Sequence, residues 1–129
     1  MRDDKLIFSD AQSIVGSAGD ITSTNVIDFA AVKPDPGMGR AVYLNVSVPV
    51  AVTSAGAATV AFILEESADN STFTTVYTTG ALAYTGLTAG KTVLRMPLPD
   101  AGKRYLRMTY TVGTAATTAG KVDAWLDIN

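Results

Sequence analysis

Ala41-Val-Tyr-Leu-Asn-Val-Ser-Val-Pro-Val50 alternates apolar and polar side chains with a period of two, and that alternation decides the fold class. Val42, Leu44, Val46 and Val48 share one face, while Tyr43, Asn45 and Ser47 share the other. Such a segment is a strand with one side on a core and the other towards solvent or a partner. Pro49 has no backbone N–H to donate, so the strand is expected to meet an edge or a bulge there.

The same period recurs towards the C-terminus. Thr59 to Glu65 places Val60, Phe62 and Leu64 together, and the turn-forming Ser67-Ala-Asp-Asn-Ser71 then leads to Phe73–Thr78, which reads as a hairpin. Lys91 to Leu98 gathers Leu94, Met96 and Leu98 before Pro97-Leu-Pro-Asp-Ala-Gly102 breaks it. Lys103 to Val112 turns Leu106, Met108, Tyr110 and Val112 inward and Tyr105, Arg107, Thr109 and Thr111 outward. After the small-residue loop Gly113 to Gly120, Lys121 to Ile128 sets Val122, Ala124, Leu126 and Ile128 against Lys121, Asp123, Trp125 and Asp127. Trp125 therefore falls on the polar face, where an aromatic points to a partner or a covering loop.

Towards the N-terminus the pattern weakens. Asn25 to Ala31 is expected as a strand, Lys33-Pro-Asp-Pro-Gly-Met-Gly39 as a long turn, and residues 1–22 as an extended arm. Roughly eight strands separated by turn signals, with little helical periodicity, predict one all-β domain over residues 1–129, an antiparallel β-sandwich. The strand order stays open. Thr88-Ala-Gly-Lys91 and Thr118-Ala-Gly-Lys121 echo each other as a turn type before a strand, not as a repeat architecture.

Composition narrows the function. Of the 129 residues 47% are hydrophobic and 17% charged, which is globular rather than disordered. A net charge of −2 and a pI near 4.8 argue against nucleic acid as a partner, because affinity for a phosphate backbone comes mainly from clustered Lys and Arg. With neither Cys nor His, thiolate nucleophiles, imidazole bases, disulfides and the common zinc sites are excluded. The charged opening Met1-Arg-Asp-Asp-Lys5 lacks the character of a signal peptide and no apolar run has the length of a membrane span, so synthesis in the cytoplasm and no membrane partner are expected.

Several motifs invite chemistry and do not sustain it. Gly86-Leu-Thr-Ala-Gly-Lys-Thr92 ends like a phosphate-binding loop, but it has one residue too few between its glycines and leads into a strand rather than a helix. Glu65, Glu66, Asp69, Asn70 and Ser71 gather hard oxygens, yet adjacent Glu65 and Glu66 point to opposite faces of a strand, and Asp69-Asn70 is ordinary turn chemistry. No pair of acids is marked as a glycosidase couple, and Asn45-Val-Ser47 and Asn70-Ser-Thr72 are chance matches to a glycosylation acceptor. Neither catalysis nor a metal or cofactor is expected. Lys103, Arg104 and Arg107 form the one cationic cluster, split by the pleat so that Tyr105 and Arg107 share a face suited to a protein contact.

Phe8-Ser-Asp-Ala-Gln12, Ser23-Thr-Asn-Val-Ile-Asp28, Tyr43-Leu44, Arg104-Tyr-Leu106, Thr109-Tyr-Thr-Val112 and Thr118-Ala-Gly-Lys-Val122 follow one another along nearly the whole chain. In that order they resemble the small cement, or decoration, proteins of tailed bacteriophages. The resemblance implies a jelly-roll fold and a non-catalytic virion protein on the outer surface of an expanded capsid. It further implies a homodimer, with a trimer as the other option, that bridges neighbouring major capsid subunits. Contact residues expected on this reading are Leu6, Ile7 and Phe8 in the arm, with Tyr105, Arg107 and Trp125. Two other readings stay open: a carbohydrate-binding β-sandwich using Trp125, Tyr43 or Tyr77 as a sugar platform, and a phage tail or baseplate module.

Overall fold

The computed structural model describes residues 7–28, 42–97 and 105–128. Within them the alternating segments become strands: β1 (Ile7–Ser13), β2 (Gly19–Thr22), β3 (Ile27–Asp28), β4 (Val42–Thr53), β5 (Thr59–Ser67), β6 (Thr74–Ala83), β7 (Lys91–Pro97), β8 (Tyr105–Gly113) and β9 (Ala119–Ile128). A short 3-10 turn, Tyr84–Gly86, joins β6 to β7. No helix among the described residues is long and apolar enough to cross a membrane.

One sheet runs β1-β9-β4-β7 and the other β2-β8-β5-β6, with β3 also pairing β8, and every pairing is antiparallel. Leaving out two-residue β3, the first strand pairs the last, the second the seventh, the third the sixth and the fourth the fifth. The chain is thus a long hairpin rolled upon itself, which is the jelly-roll order. The β9–β4 and β8–β5 pairings close the two sheets.

Leu44, Val46 and Val48 of β4, Val60, Phe62 and Leu64 of β5, Leu106, Met108, Tyr110 and Val112 of β8, and Val122, Ala124 and Leu126 of β9 fill the space between the sheets. Each large apolar side chain removed from water there contributes about 1.5–3 kcal/mol. Phe62 and Tyr110 meet edge to face across β5 and β8, with ring centroids 5.8 Å apart. Pro49 lies where the β4–β9 register slips between Ser47 and Val50, so a bulge accommodates it and β4 continues to Thr53.

The N-terminal segment departs from expectation. Ile7–Ser13 and Gly19–Thr22 are sheet strands rather than parts of an extended arm: β1 pairs β9 and β2 pairs β8. Phe8 and Ile14 are fully buried, so their apolar area anchors the segment in the core. Of the strand expected over Asn25 to Ala31, Ile27 and Asp28 pair with β8, while residues 29–31 and the turn at 33–39 lie outside the described residues, as do Leu98, Lys103 and Arg104.

Burial is uneven across the sandwich. β6 and β7, the edge strands at one flank, hold no fully buried residue. Leu94 and Met96 face Val46 and Leu44 in the register, yet both stay only half-buried.

Candidate protein interface

On the outer face of the first sheet, the register lines up Ile7, Trp125, Asn45 and Arg95 across all four strands. Trp125 stands between buried Ala124 and Leu126, so its indole points away from the core. Asn45 also points outward but is only 4% exposed between its neighbours; its side-chain amide donates to the Tyr43 carbonyl at 3.3 Å and its oxygen accepts from Arg95. The Arg95 guanidinium lies 4.7 Å from the Tyr43 ring centroid and 4.0 Å from the Asp127 carboxylate. Contacts among Tyr43, Asn45, Arg95 and Asp127 thus hold one half of a plate that the register continues through Trp125 to Ile7, and Trp, Tyr and Arg are residue types enriched where proteins dock.

That geometry also separates the aromatic residues expected of a sugar platform. One face of Tyr43 carries Arg95, and Tyr77 sits in register with buried Leu64, turned towards the space between the sheets. Tyr77 therefore shares no surface with Trp125 and Tyr43.

Tyr105 and Arg107 lie on the outer face of the other sheet, so the structure does not bring them together with Trp125. Arg107 is engaged within the fold. Its Nε donates to Glu65 Oε1 at 2.7 Å, the Thr109 hydroxyl donates to the same oxygen at 2.6 Å, and its guanidinium stacks 3.8 Å from the Phe73 ring centroid. These bonds also account for Thr109 being buried on the face expected to be exposed. Arg107 thereby fastens the β5–β6 connection to β8. Of the remaining expected contacts, Ile7 belongs to the plate, Phe8 is a core residue with 0% exposure, and Leu6 lies outside the described residues.

The oxygen-rich turn after β5 serves its own backbone. Asp69 Oδ1 accepts from the backbone N–H groups of Thr72 and Ser71 at 3.0 and 2.9 Å, and from the Ser67 hydroxyl at 2.8 Å. Those donors favour the ionised carboxylate and hold its pKa down to about 2. Glu65 is tied to Arg107, and among the described residues no group of three acidic side chains could hold a metal. The Gly86–Thr92 stretch turns at Gly90, with φ +82°, straight into β7.

The role of the polar side chains in the N-terminal motifs is not legible from the sequence. The Ser9 hydroxyl lies 2.7 Å from the Tyr110 hydroxyl and donates to Gln12 Oε1 at 2.6 Å. Gln12 in turn donates to the Thr22 carbonyl and accepts from the Thr24 N–H. Ser23 Oγ accepts from the Met108 N–H at 3.1 Å, and the Asn25 N–H donates to the Phe8 carbonyl at 3.0 Å. Phe8, Ser9 and Gln12, Ser23 to Asn25, and Met108 and Tyr110 therefore form one network pinning β1 and the segment after β2 to β8, and they maintain the fold rather than a docking surface. The pairing of a Ser with a core Tyr on opposite ends of the chain left no local signal.

A family model described as Bbp16, a phage-associated family, matches residues 8–126, from β1 to near the end of β9. No curated protein matches the chain.

Proposed function

The chain belongs to the phage-associated Bbp16 family, and on that basis we propose that it is a capsid cement protein, a non-catalytic clamp on the outer surface of a phage shell. The family match across both sheets of a jelly roll is the observation that carries this reading. A clamp requires a rigid scaffold with preorganised contact surfaces, and the Ile7, Trp125, Tyr43 and Arg95 plate supports that role. Major capsid subunits are the partner, and a second copy of the chain, as a dimer, makes the clamp bivalent.

The mechanism is differential binding. A clamp that fits the expanded lattice and not the unexpanded one shifts the shell towards the expanded state by mass action. A single contact of about 800 Å² per partner can be weak, yet a bivalent unit spanning two subunits gains effective concentration.

Co-sedimentation with shells of the phage's own major capsid protein tests the reading. Binding to expanded shells in preference to unexpanded ones is expected, and Trp125→Ala is expected to weaken it by about 30-fold, the effect of losing an interface anchor. Absence of shell binding, or density on the tail in cryo-electron microscopy of the virion, would overturn it, and retention on a glycan array instead would favour the carbohydrate-binding module.

A further inference from the structure

The flank formed by β6, the Tyr84–Gly86 turn and β7 differs from the rest of the molecule in two independent ways. Eight partly buried hydrophobic residues pack against the core among the described residues, and seven of them, Val76 to Met96, come from this flank. Among the described residues the sheets end here, with β6 pairing only β5 and β7 only β4, so each outer edge presents backbone groups that no described strand pairs. Between them opens a groove of about 310 Å³ lined by Leu82, Ala83, Leu87 and Val93, with Lys91 exposed at its rim.

Charge is the second distinction. Residues 73–97 hold two cations, Lys91 and Arg95, and no acid, in a chain whose net charge is −2. Arg95 is drawn towards Asn45 and Asp127 on the outer face, which leaves Lys91 as the charge beside the groove. A second copy meeting this flank with its own flank would bring a like charge to it. An acidic partner would be attracted to it.

We propose that this flank receives an extended segment of a protein partner that sets an apolar side chain in the groove and a carboxylate against Lys91. Backbone pairing along a sheet edge would hold such a segment, and the groove and the ammonium would select its side chains. The inference rests on the cement reading, in which the partner is a capsid subunit. It deepens that reading, since a bridging clamp needs two contact regions: the Trp125 plate is one and this flank, at the far edge of β7, is the other.

Co-sedimentation of the full chain with expanded shells tests it, using Lys91→Glu, Lys91→Arg and Leu82→Arg, with circular dichroism to confirm folding. Lys91→Glu at its exposed position is expected to weaken binding at least tenfold and to flatten its salt dependence, while Lys91→Arg binds as the parent does. Leu82→Arg is expected to bind as poorly as Lys91→Glu. If the parent chain binds shells and Lys91→Glu stays within twofold of it, this inference is overturned and the cement reading stands. If Lys91→Glu changes the oligomeric mass of the free protein and not its shell affinity, a second copy occupies the flank and the inference is likewise overturned. Failure of the parent chain to bind shells overturns both.

Discussion

The Tyr110 hydroxyl and the Ser9 hydroxyl lie 2.7 Å apart, both side chains fully buried, and they join residues 101 positions apart in the chain. Burial pushes the Tyr110 phenol well above its ordinary range, so the group stays neutral and bonded. Ser9→Ala strands a buried phenol and is expected to cost about 1–3 kcal/mol, whereas Tyr110→Phe leaves Ser9 bonded to Gln12 and costs about 0.5–1.5 kcal/mol. The double variant should cost less than the sum of the two. Above pH about 10 the unfolded chain releases the phenolic proton and the folded chain keeps it. The unfolded state then binds fewer protons, so stability falls as pH rises. Urea titrations at pH 8 and pH 11 are expected to show that loss in the parent and a smaller one in Tyr110→Phe.

Phe8 and Ile7 are neighbours with opposite fates, one in the core and one beside Trp125. Phe8→Ala is expected to destabilise by about 3–5 kcal/mol through lost transfer energy and a cavity. Ile7→Ala should cost about 1 kcal/mol or less and weaken shell binding instead. Deleting residues 1–8 would therefore test folding, and deleting residues 1–6 tests whether Leu6 contributes to docking. Equal losses of stability for Phe8→Ala and Ile7→Ala would contradict this assignment.

Legibility in the sequence followed regularity of the strand. β4, β5, β8 and β9 alternate cleanly, and Leu44, Val60, Met108 and Val122 are buried as their period requires. β1 was illegible because its register slips on both sides of Ser9 and Ala11 adopts a positive φ, which moves side chains off the period of two. In the sequence β6 reads as the hairpin partner of β5 and β7 as one further strand, since period alone carries no mark of an edge position; that follows from the strand order, which is long-range information. For the interface, periodicity placed Trp125 outward, but its alignment with Ile7, Asn45 and Arg95 depends on pairings between distant strands. Arg107 looked available because Glu65 and Phe73 reach it only through the β5–β8 register and the turn before β6.

Glu65 holds Arg107 and Thr109 on one oxygen, with the Arg107 side chain 27% exposed and that of Glu65 16% exposed. Removing either partner leaves a half-buried charge, so a double-mutant cycle between Glu65→Ala and Arg107→Ala is expected to give a coupling of about 0.5–1.5 kcal/mol. Arg107→Lys retains the charge but loses the planar stack on Phe73 and the Nε donor, and should lower the melting temperature nearly as far as Arg107→Ala. Shell binding, referred to the folded fraction, should stay near that of the parent, because this cluster fastens the fold. A selective loss of binding would return Arg107 to the docking surface.

Asp69 titrates away from the usual carboxylate range because three donors converge on one of its oxygens, the Thr72 and Ser71 N–H groups foremost. A folded pKa below the unfolded one means that the unfolded chain takes up the proton first. The turn's stabilisation is therefore fully present above pH about 4, declines as pH falls, and is lost once pH passes through about 2. The amide resonances of Ser71 and Thr72, followed by NMR from pH 5 downwards, should move with a midpoint near 2. In Asp69→Asn the acceptor oxygen remains and the charge does not, so the turn should keep its shape while that titration step disappears. A midpoint near 4 in the parent chain would show that the Thr72 and Ser71 donors do not hold the carboxylate in solution, and the turn would then have no internal clamp.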